Sequence, residues 1–514
     1  MKKFLQDRKR IICILAPLLA GMIYLILCLV SLGYSVSTSE AYSAYLVRFD
    51  FGGIWNLAGS GTEPPLYLFL LKIWAHVFGH ADFVLRIMSA MFGALTILVA
   101  YLWMKYKHGA TAAIIGAFLL AIAPFFVRAG QEIGAITLVT FIVVAASFTL
   151  QIALDTKSKI WWAIYAIFVT AGLWTSYYCG LAWLAHLVYL AKSLGKKVWQ
   201  KQIILAYVAA IALWLPWMTG LSSQINTTRE MVDANSSLVS VADAVTQAFV
   251  YTRASETQNL ALALCLLTTI ILLILIVRYH KKMSLLSALA FVPSAALLLL
   301  TLIPIVDFTI WQIPFVSLAL VLMLGVAGTM FARQKYSAKK RQAKAKSHLM
   351  HVCLAGGVGV AVIATFVCGL ISVYKHEGYD LQLKQKHSAD ILYANIVEFD
   401  YNQYLPIVVK SPDLYYQLSA HTTERNPVTF IEADLSGHDD SVLKPLHQSY
   451  FGKIANREKF FADHQAIWLV DVEPSDSAQL NFPYEGWRMT SRSDLHFSDD
   501  GPTYQILKLE KEQI

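Results

Sequence analysis

Residues 63–93 read EPPLYLFLLKIWAHVFGHADFVLRIMSAMFG. Two kinds of segment meet in this stretch. In the first, Leu66, Phe69, Leu70, Ile73 and Val77 fall at i, i+3, i+4, i+7 and i+11, while Lys72, His76 and His80 recur every four residues on another face. An apolar stripe beside a basic one, too short to cross a bilayer easily, predicts a helix lying in a membrane interface. In the second, residues 83–104 are apolar but for Arg86 and a few small polar groups, which is the length that crosses hydrocarbon.

Ten further blocks of the second kind lie at roughly 11–33, 111–127, 132–154, 160–177, 180–193, 203–220, 257–277, 284–304, 310–331 and 349–373, predicting about 11 transmembrane helices. The whole composition agrees: 57% of the 514 residues are hydrophobic, 15% are charged, and mean hydropathy is +0.52. A soluble globular chain carries about 25% charge, so one large water-soluble enzyme and a disordered chain are both excluded. All six cysteines sit inside apolar blocks without CxxC or histidine partners, and read as small buried hydrophobes. The charged front MKKFLQDRKR precedes an apolar core of over 20 residues with no small-x-small site, predicting an uncleaved first helix.

Charge then predicts orientation. With a cytoplasmic N-terminus, the inside segments 1–10, 105–110, 155–159, 192–202, 278–283 and 332–348 hold 23 Lys and Arg, and the outside loops 34–82, 128–131, 221–256 and 305–309 hold five. That is the positive-inside pattern. Residues 375–514 hold 22 acids against 13 bases, so an acidic soluble domain follows a basic membrane part and lies outside the cytoplasm. The expected domains are 1–374 and 375–514. The bases form no continuous stripe, which excludes a nucleic-acid partner. The run RQKYSAKKRQAKAK at 333–346 reads as a topology anchor before an anionic-lipid site.

A weaker amphipathic helix is expected at 41–51, so that two interfacial helices bracket Glu63-Pro64-Pro65 in the first outer loop. The tail reads as a small α/β domain, with β-type runs at 406–410, 428–432, 466–472 and 504–509 and helices at 388–398 and 412–420, the latter opening with Ser411-Pro412-Asp413. Alternation of strand and helix predicts a parallel sheet.

An acid near hydrocarbon costs about 2.5–3.5 kcal/mol at a helix centre and needs a reason. Glu40 lies just past the first span, Glu63 precedes two prolines, and Glu132 follows Gln131 at the mouth of the fourth span; all map to the outer side, with Arg86, Arg128 and Arg253 near that level. Carboxylates and arginines gathered there suit a base, a metal contact or a phosphate grip. The plainer reading, solvated loop acids with Glu132 as a helix N-terminal acid, weighs against each taken singly.

Here the motifs resemble a family. Ser39-Glu40-Ala41-Tyr42, Glu63-Pro64-Pro65-Leu66-Tyr67, Phe78-Gly79, the run Phe83 to Gly93, Gln131-Glu132, and the tail residues His387-Ser388-Ala389-Asp390 through Tyr415-Tyr416 are similar to the polytopic GT-C glycosyltransferases. The branch resembled is that of protein O-mannosyltransferases, aminoarabinose transferases and their bacterial relatives. The resemblance implies transfer of a sugar, by inverting displacement, from a polyprenyl-phosphate carrier to an extracytoplasmic glycan, lipid or protein, in a multi-pass membrane protein. It implies Glu40 and Glu63 as catalytic candidates, with Tyr42, Pro65, Tyr67, Arg86, Arg128, Gln131, Glu132 and Arg253 as substrate-binding residues. A divalent metal ion is the one cofactor it leaves room for. Ser39 stands where the family carries Asp, Ile133-Gly134-Ala135 where aromatic and arginine residues follow, and Phe308-Thr309-Ile310-Trp311 lacks an Arg-Tyr pair. A serine is far too weak an acid to act as a carboxylate base. An inactive relative, or a protein that binds or translocates the lipid-linked sugar, is therefore the alternative. Gly357-Val358-Gly359 reads as helix packing, Asp471-Val472-Glu473 as a strand end, and Asp499-Asp500-Gly501 as a turn.

Overall fold

A computed structural model describes every residue except 1, 31–35, 60, 62, 196–199, 232–238, 253–256, 258, 303–308, 333–342, 376–380, 401–402, 422–423, 436–439, 450, 473–485, 497–502 and 513–514. The chain forms two compact units. The first comprises Met1–Leu32, Thr62–Tyr67 and Arg86–Tyr379; the second comprises Gly33–Gly61, Leu68–Leu85 and Asp380–Ile514.

The first unit is helical. Among the described residues, eight helices are long and apolar enough to cross a membrane: Ile11–Leu29, Asp82–His108, Ile136–Thr156, Lys201–Gln224, Asn259–Lys282, Ser284–Thr301, Pro314–Phe331 and Gly356–Lys375. A ninth is formed if the bent pair Ala110–Ala121 and Pro124–Gly130 counts as one span. The expected spans at 160–177 and 180–193 are helices of 17 and 16 residues, Lys159–Thr175 and Cys179–Leu194. The expected span at 111–127 is not one straight helix but breaks by 61°. Pro124 is the cause: it cannot donate a helical hydrogen bond and holds Ala123 extended, at φ −67° and ψ 118°. Gly109, at φ 87°, makes the sharp turn that parts Ala110–Ala121 from the helix before it.

Small residues let these helices approach closely, as membrane packing requires. A Cβ on Gly325 would come within 2.9 Å of the Gly116 backbone. One set of polar groups in the interior pairs around a histidine. His186, fully buried, holds Ser147 at 3.0 Å through Nε2 and Tyr165 at 3.0 Å through Nδ1, and Tyr165 meets the Tyr207 hydroxyl at 2.8 Å. Large apolar side chains such as Ile14, Leu18, Leu273 and Val277 are left exposed. The chain is a multi-pass membrane protein, and lipid is the solvent for such a surface.

The second unit holds a five-stranded sheet: β1 (Ile407–Val409), β2 (Val428–Phe430), β3 (Ala466–Val472), β4 (Trp487–His496) and β5 (Thr503–Lys511), in the order β2-β1-β3-β5-β4. The expected parallel sheet holds for β1, β2 and β3 and is corrected at β4 and β5. β1 is parallel to β2 and β3, but β5 is antiparallel to both β3 and β4. The helices Pro412–Ser419, Asp440–His447 and Arg457–Asp463 lie in the first connections and supply the crossovers parallel strands need. Only six residues separate β4 from β5, too few for a crossover. Val408, Ile467, Leu469, Trp487, Leu507 and Leu509 form the core of the sheet.

The outer-loop segment of this unit also differs from expectation. The helix expected at 41–51 is two helices, Thr38–Leu46 and Phe51–Ala58. Asp50 causes the division: its Oδ1 accepts from the Gly53 amide at 2.7 Å and starts the second helix as its N-cap. The helix expected at 66–80 runs from Leu66 to Phe78. Its buried side is Tyr67, Leu71 and Ala75, while Ile73, Val77 and Phe78 are more than half exposed. The apolar stripe visible in the sequence faces outward, as suits a helix in a lipid interface.

Candidate active site

Glu63, Pro65, Tyr67, Arg86, Arg128, Gln131 and Glu132 belong to the first unit, Glu40 and Tyr42 to the second. Arg253 lies outside the described residues.

In the first unit the site grows from the end of the helix Ile11–Leu29. The last carbonyls of a helix have no partner within it. The Leu27 carbonyl accepts from Gln131 Nε2 at 3.2 Å and from the Tyr374 hydroxyl at 2.8 Å. One turn earlier, the Tyr24 hydroxyl donates to the Phe126 carbonyl at 3.2 Å. Gln131 is thus a buried brace. Beside it Arg128, 2% exposed, pairs with Glu132 one turn on. A buried guanidinium needs such a counter-charge. Arg86 is fully buried.

The segment 62–67 is tied to the same region through Ser89. The Tyr67 and Ser89 hydroxyls meet at 3.5 Å, and Ser89 donates to the Gly134 carbonyl at 3.3 Å, two residues from Glu132. Pro65 is buried at the turn before the helix. Glu63 itself is reached by solvent, yet protein crowds it enough that burial pushes its carboxyl up to about 7. Its backbone is held by a chain of three residues: Trp217 Nε1 donates to the Tyr177 hydroxyl at 2.8 Å, Tyr177 donates to Gln224 Oε1, and Gln224 Nε2 donates to the Glu63 carbonyl at 2.9 Å. Trp217 and Gln224 are buried. The Cys179 thiol is near enough to feel the Glu63 charge.

Sequence reasoning did not single out Tyr177, Trp217 or Gln224. Tyr177 marks only a break between two apolar blocks, and Gln224 is one polar residue in a polar stretch. Contacts across 161 positions leave no periodicity to read.

In the second unit Glu40 is a helix cap. Its Oε2 accepts from the Ser37 amide at 2.9 Å and the Ser37 hydroxyl at 3.1 Å, while the Glu40 amide donates to Ser37 Oγ at 3.4 Å. This is a reciprocal capping box. Ser39 is hydrogen-bonded to Ser37, hydroxyl to hydroxyl, at 3.2 Å. The capped helix lies on the helix Pro412–Ser419. Tyr42 meets Tyr416 edge-on at 5.4 Å, Tyr45 meets Tyr416 at 5.0 Å and donates to Ser449, and Gln417 donates to the Thr38 hydroxyl at 3.0 Å. Burial pushes the Tyr42 phenol up to about 12. Arg48 donates to the Ser419 carbonyl at 3.2 Å and Lys72 to the Val47 carbonyl at 3.1 Å. Burial first, then the charges of Arg48, Lys72 and His76, hold the His80 imidazole below its ordinary value.

Among the described residues, no three His, Cys, Asp or Glu side chains converge to hold a metal ion.

Residues 62–219 match the family described as dolichyl-phosphate-mannose-protein mannosyltransferase. Comparison with curated proteins gives no match. Among solved structures, ArnT from Cupriavidus metallidurans bound to undecaprenyl phosphate is similar at TM-score 0.55 and 13% identity, over 96% of this chain and 97% of that one. The apo state of the same protein is similar at TM-score 0.54 and 14% identity, over 95% and 97%. The archaeal oligosaccharyltransferase AglB from Archaeoglobus fulgidus, in complex with an inhibitory peptide and a dolichol-phosphate, gives TM-score 0.48 at 14% identity, over 90% of this chain and 69% of that one. At such identities the ArnT likeness fixes the fold. The resemblance that the motifs suggest is borne out by the family match at residues 62–219, and the likeness of fold to ArnT extends over nearly the whole chain.

Proposed function

From an ArnT-like GT-C fold, we propose that this protein is a membrane glycosyltransferase that moves a sugar from a polyprenyl-phosphate carrier to an extracytoplasmic acceptor, with Glu63 as the general base. The acceptor hydroxyl attacks the anomeric carbon and a new C–O bond forms. The bond from that carbon to the phosphate oxygen breaks, and its electron pair leaves on the phosphate. The hydroxyl proton passes to Glu63. The observation that carries the proposal is the ArnT-like fold over nearly the whole chain, and a carboxylate raised toward neutrality, as burial raises Glu63, is a better base than an ordinary one. Glu40 takes a second role: it fixes the start of the helix that carries Tyr42.

Arg128, oriented by Glu132, and Arg253 supply positive charge to the departing phosphate, where a guanidinium fork matches phosphate oxygens. The charge bias of the loops supports a cytoplasmic N-terminus and an extracytoplasmic tail. The domain reading is a membrane glycosyltransferase part at 1–374 and a tail at 375–514.

The test is transfer in proteoliposomes from undecaprenyl-phosphate-linked hexoses and pentoses, followed by release of undecaprenyl phosphate. Turnover by the wild type supports the proposal. Tight donor binding with no turnover across the panel overturns it in favour of the second reading, a binding or translocating relative, which rests on Ser39. Running the assay with and without a chelator decides whether a divalent metal takes part.

A further inference from the structure

The structure contains a second tier of residues behind Glu63. Trp217, Tyr177 and Gln224 form a one-directional hydrogen-bond chain that ends on the Glu63 backbone. Each link uses its donor toward the next residue. The indole of Trp217 has only one N–H to give and spends it on Tyr177. That leaves the phenolic hydrogen for Gln224 Oε1, which orients the amide so that its NH2 points at the Glu63 carbonyl. The order is fixed by chemistry: a phenylalanine at 177 breaks both upstream links at once. The two prolines after Glu63 remove two backbone donors from this turn, so its carbonyls are what the rest of the protein can grip.

We infer that Tyr177 and Gln224 are positioning residues for Glu63, setting where its carboxyl stands against the acceptor without touching substrate. The inference rests on the reading of Glu63 as the base. Misplacing a catalytic group by about 1 Å costs up to about 100-fold in rate. Of the titratable groups in this arrangement, Cys179 is near enough to feel the Glu63 charge, and Tyr177 belongs to the chain itself.

The experiment compares wild type with Tyr177→Phe, Gln224→Leu, their double variant and Glu63→Gln, each as the full chain in proteoliposomes, with thermal midpoints confirming folding. The expected result is a kcat about 10- to 100-fold lower in each single variant with KM little changed. The double variant is expected to fall no further than the worse single one, because the links act in series. The midpoint of the pH–rate profile is expected to move downward, as a looser turn lets the carboxyl swing away from the protein that crowds it. Hydrogen exchange of the peptide around 61–70 is expected to quicken in Tyr177→Phe and Gln224→Leu and not in Glu63→Gln. Wild-type kcat, pH midpoint and exchange in both single variants, with Glu63→Gln inactive, overturn this inference alone. A lower kcat with an unmoved pH midpoint and unchanged exchange also overturns it, reducing the chain to a fold support. Full activity in Glu63→Gln overturns the base assignment itself, whatever the other variants do.

Discussion

Trp468 donates its indole N–H to Asp400 at 2.9 Å, across 68 positions of chain. Asp400 is 1% exposed, and the same carboxylate accepts from the Tyr404 and Leu405 amides and from Asn426 Nδ2. A buried carboxylate is tolerable only when donors surround it. The residue therefore pins the end of the helix Leu381–Phe399 to the sheet. Asp400→Ala should destabilise the tail by roughly 3 kcal/mol, since several buried donors lose their acceptor. Trp468→Phe should cost about 1 kcal/mol. Limited proteolysis of the purified chain, read by cleavage within 380–514, ranks the two.

Tyr45 is the hub between the helix Thr38–Leu46 and the tail helix Pro412–Ser419. Its ring faces Tyr415 at 5.9 Å and Tyr416 at 5.0 Å. Tyr45→Ala should cost roughly 3 kcal/mol through lost packing, and Tyr45→Phe about 1 kcal/mol through the lost hydrogen bond to Ser449. Hydrogen exchange should rise in both helices together in the alanine variant. A rise in only one would show that the contact does not hold them.

The Glu63 carboxyl, raised to about 7 by burial, sets a sign for pH dependence. Below that value the group is protonated and cannot accept the acceptor's proton. Transfer should rise about tenfold per pH unit on the acid side and level off above the midpoint. Glu63→Gln should lower kcat by about 100-fold or more and flatten this limb. An acid limb centred near 4.5 would place the base elsewhere.

Glu40 gives the opposite expectation. Glutamine also completes a capping box, so Glu40→Gln should leave folding and transfer near wild type, while Ser37→Ala should cost about 1 kcal/mol of helix stability. Abolished transfer in a well-folded Glu40→Gln protein would move the base from Glu63 to Glu40.

Much of the architecture is legible from apolar length alone, because a bilayer imposes one scale on every crossing. The 61° break at Ala123 shows the limit: Pro124 is visible, but composition treats 111–127 as one run. β4 escaped because its residues Arg488 to Arg492 are exposed on both faces, so no alternation marks it. Phe51–Ala58 escaped because Asp50 reads as a loop residue until its cap is seen. At the site, Glu63 stands out as an acid beside two prolines. Its supports do not, since Gln224 and Tyr177 acquire meaning only from the residue each one faces.

The margins of the tail sheet leave little room for strand addition. Beyond β2, Phe430 exchanges backbone bonds with Gly452 and Ile454, so that border is already sealed. Beyond β5, the outermost strand carries Arg492 and Asp494 clasped to each other on an exposed, charged border. Neither border welcomes a guest strand. A polypeptide that met this domain would have to be gripped by side chains and not enlisted as a sixth member of the sheet.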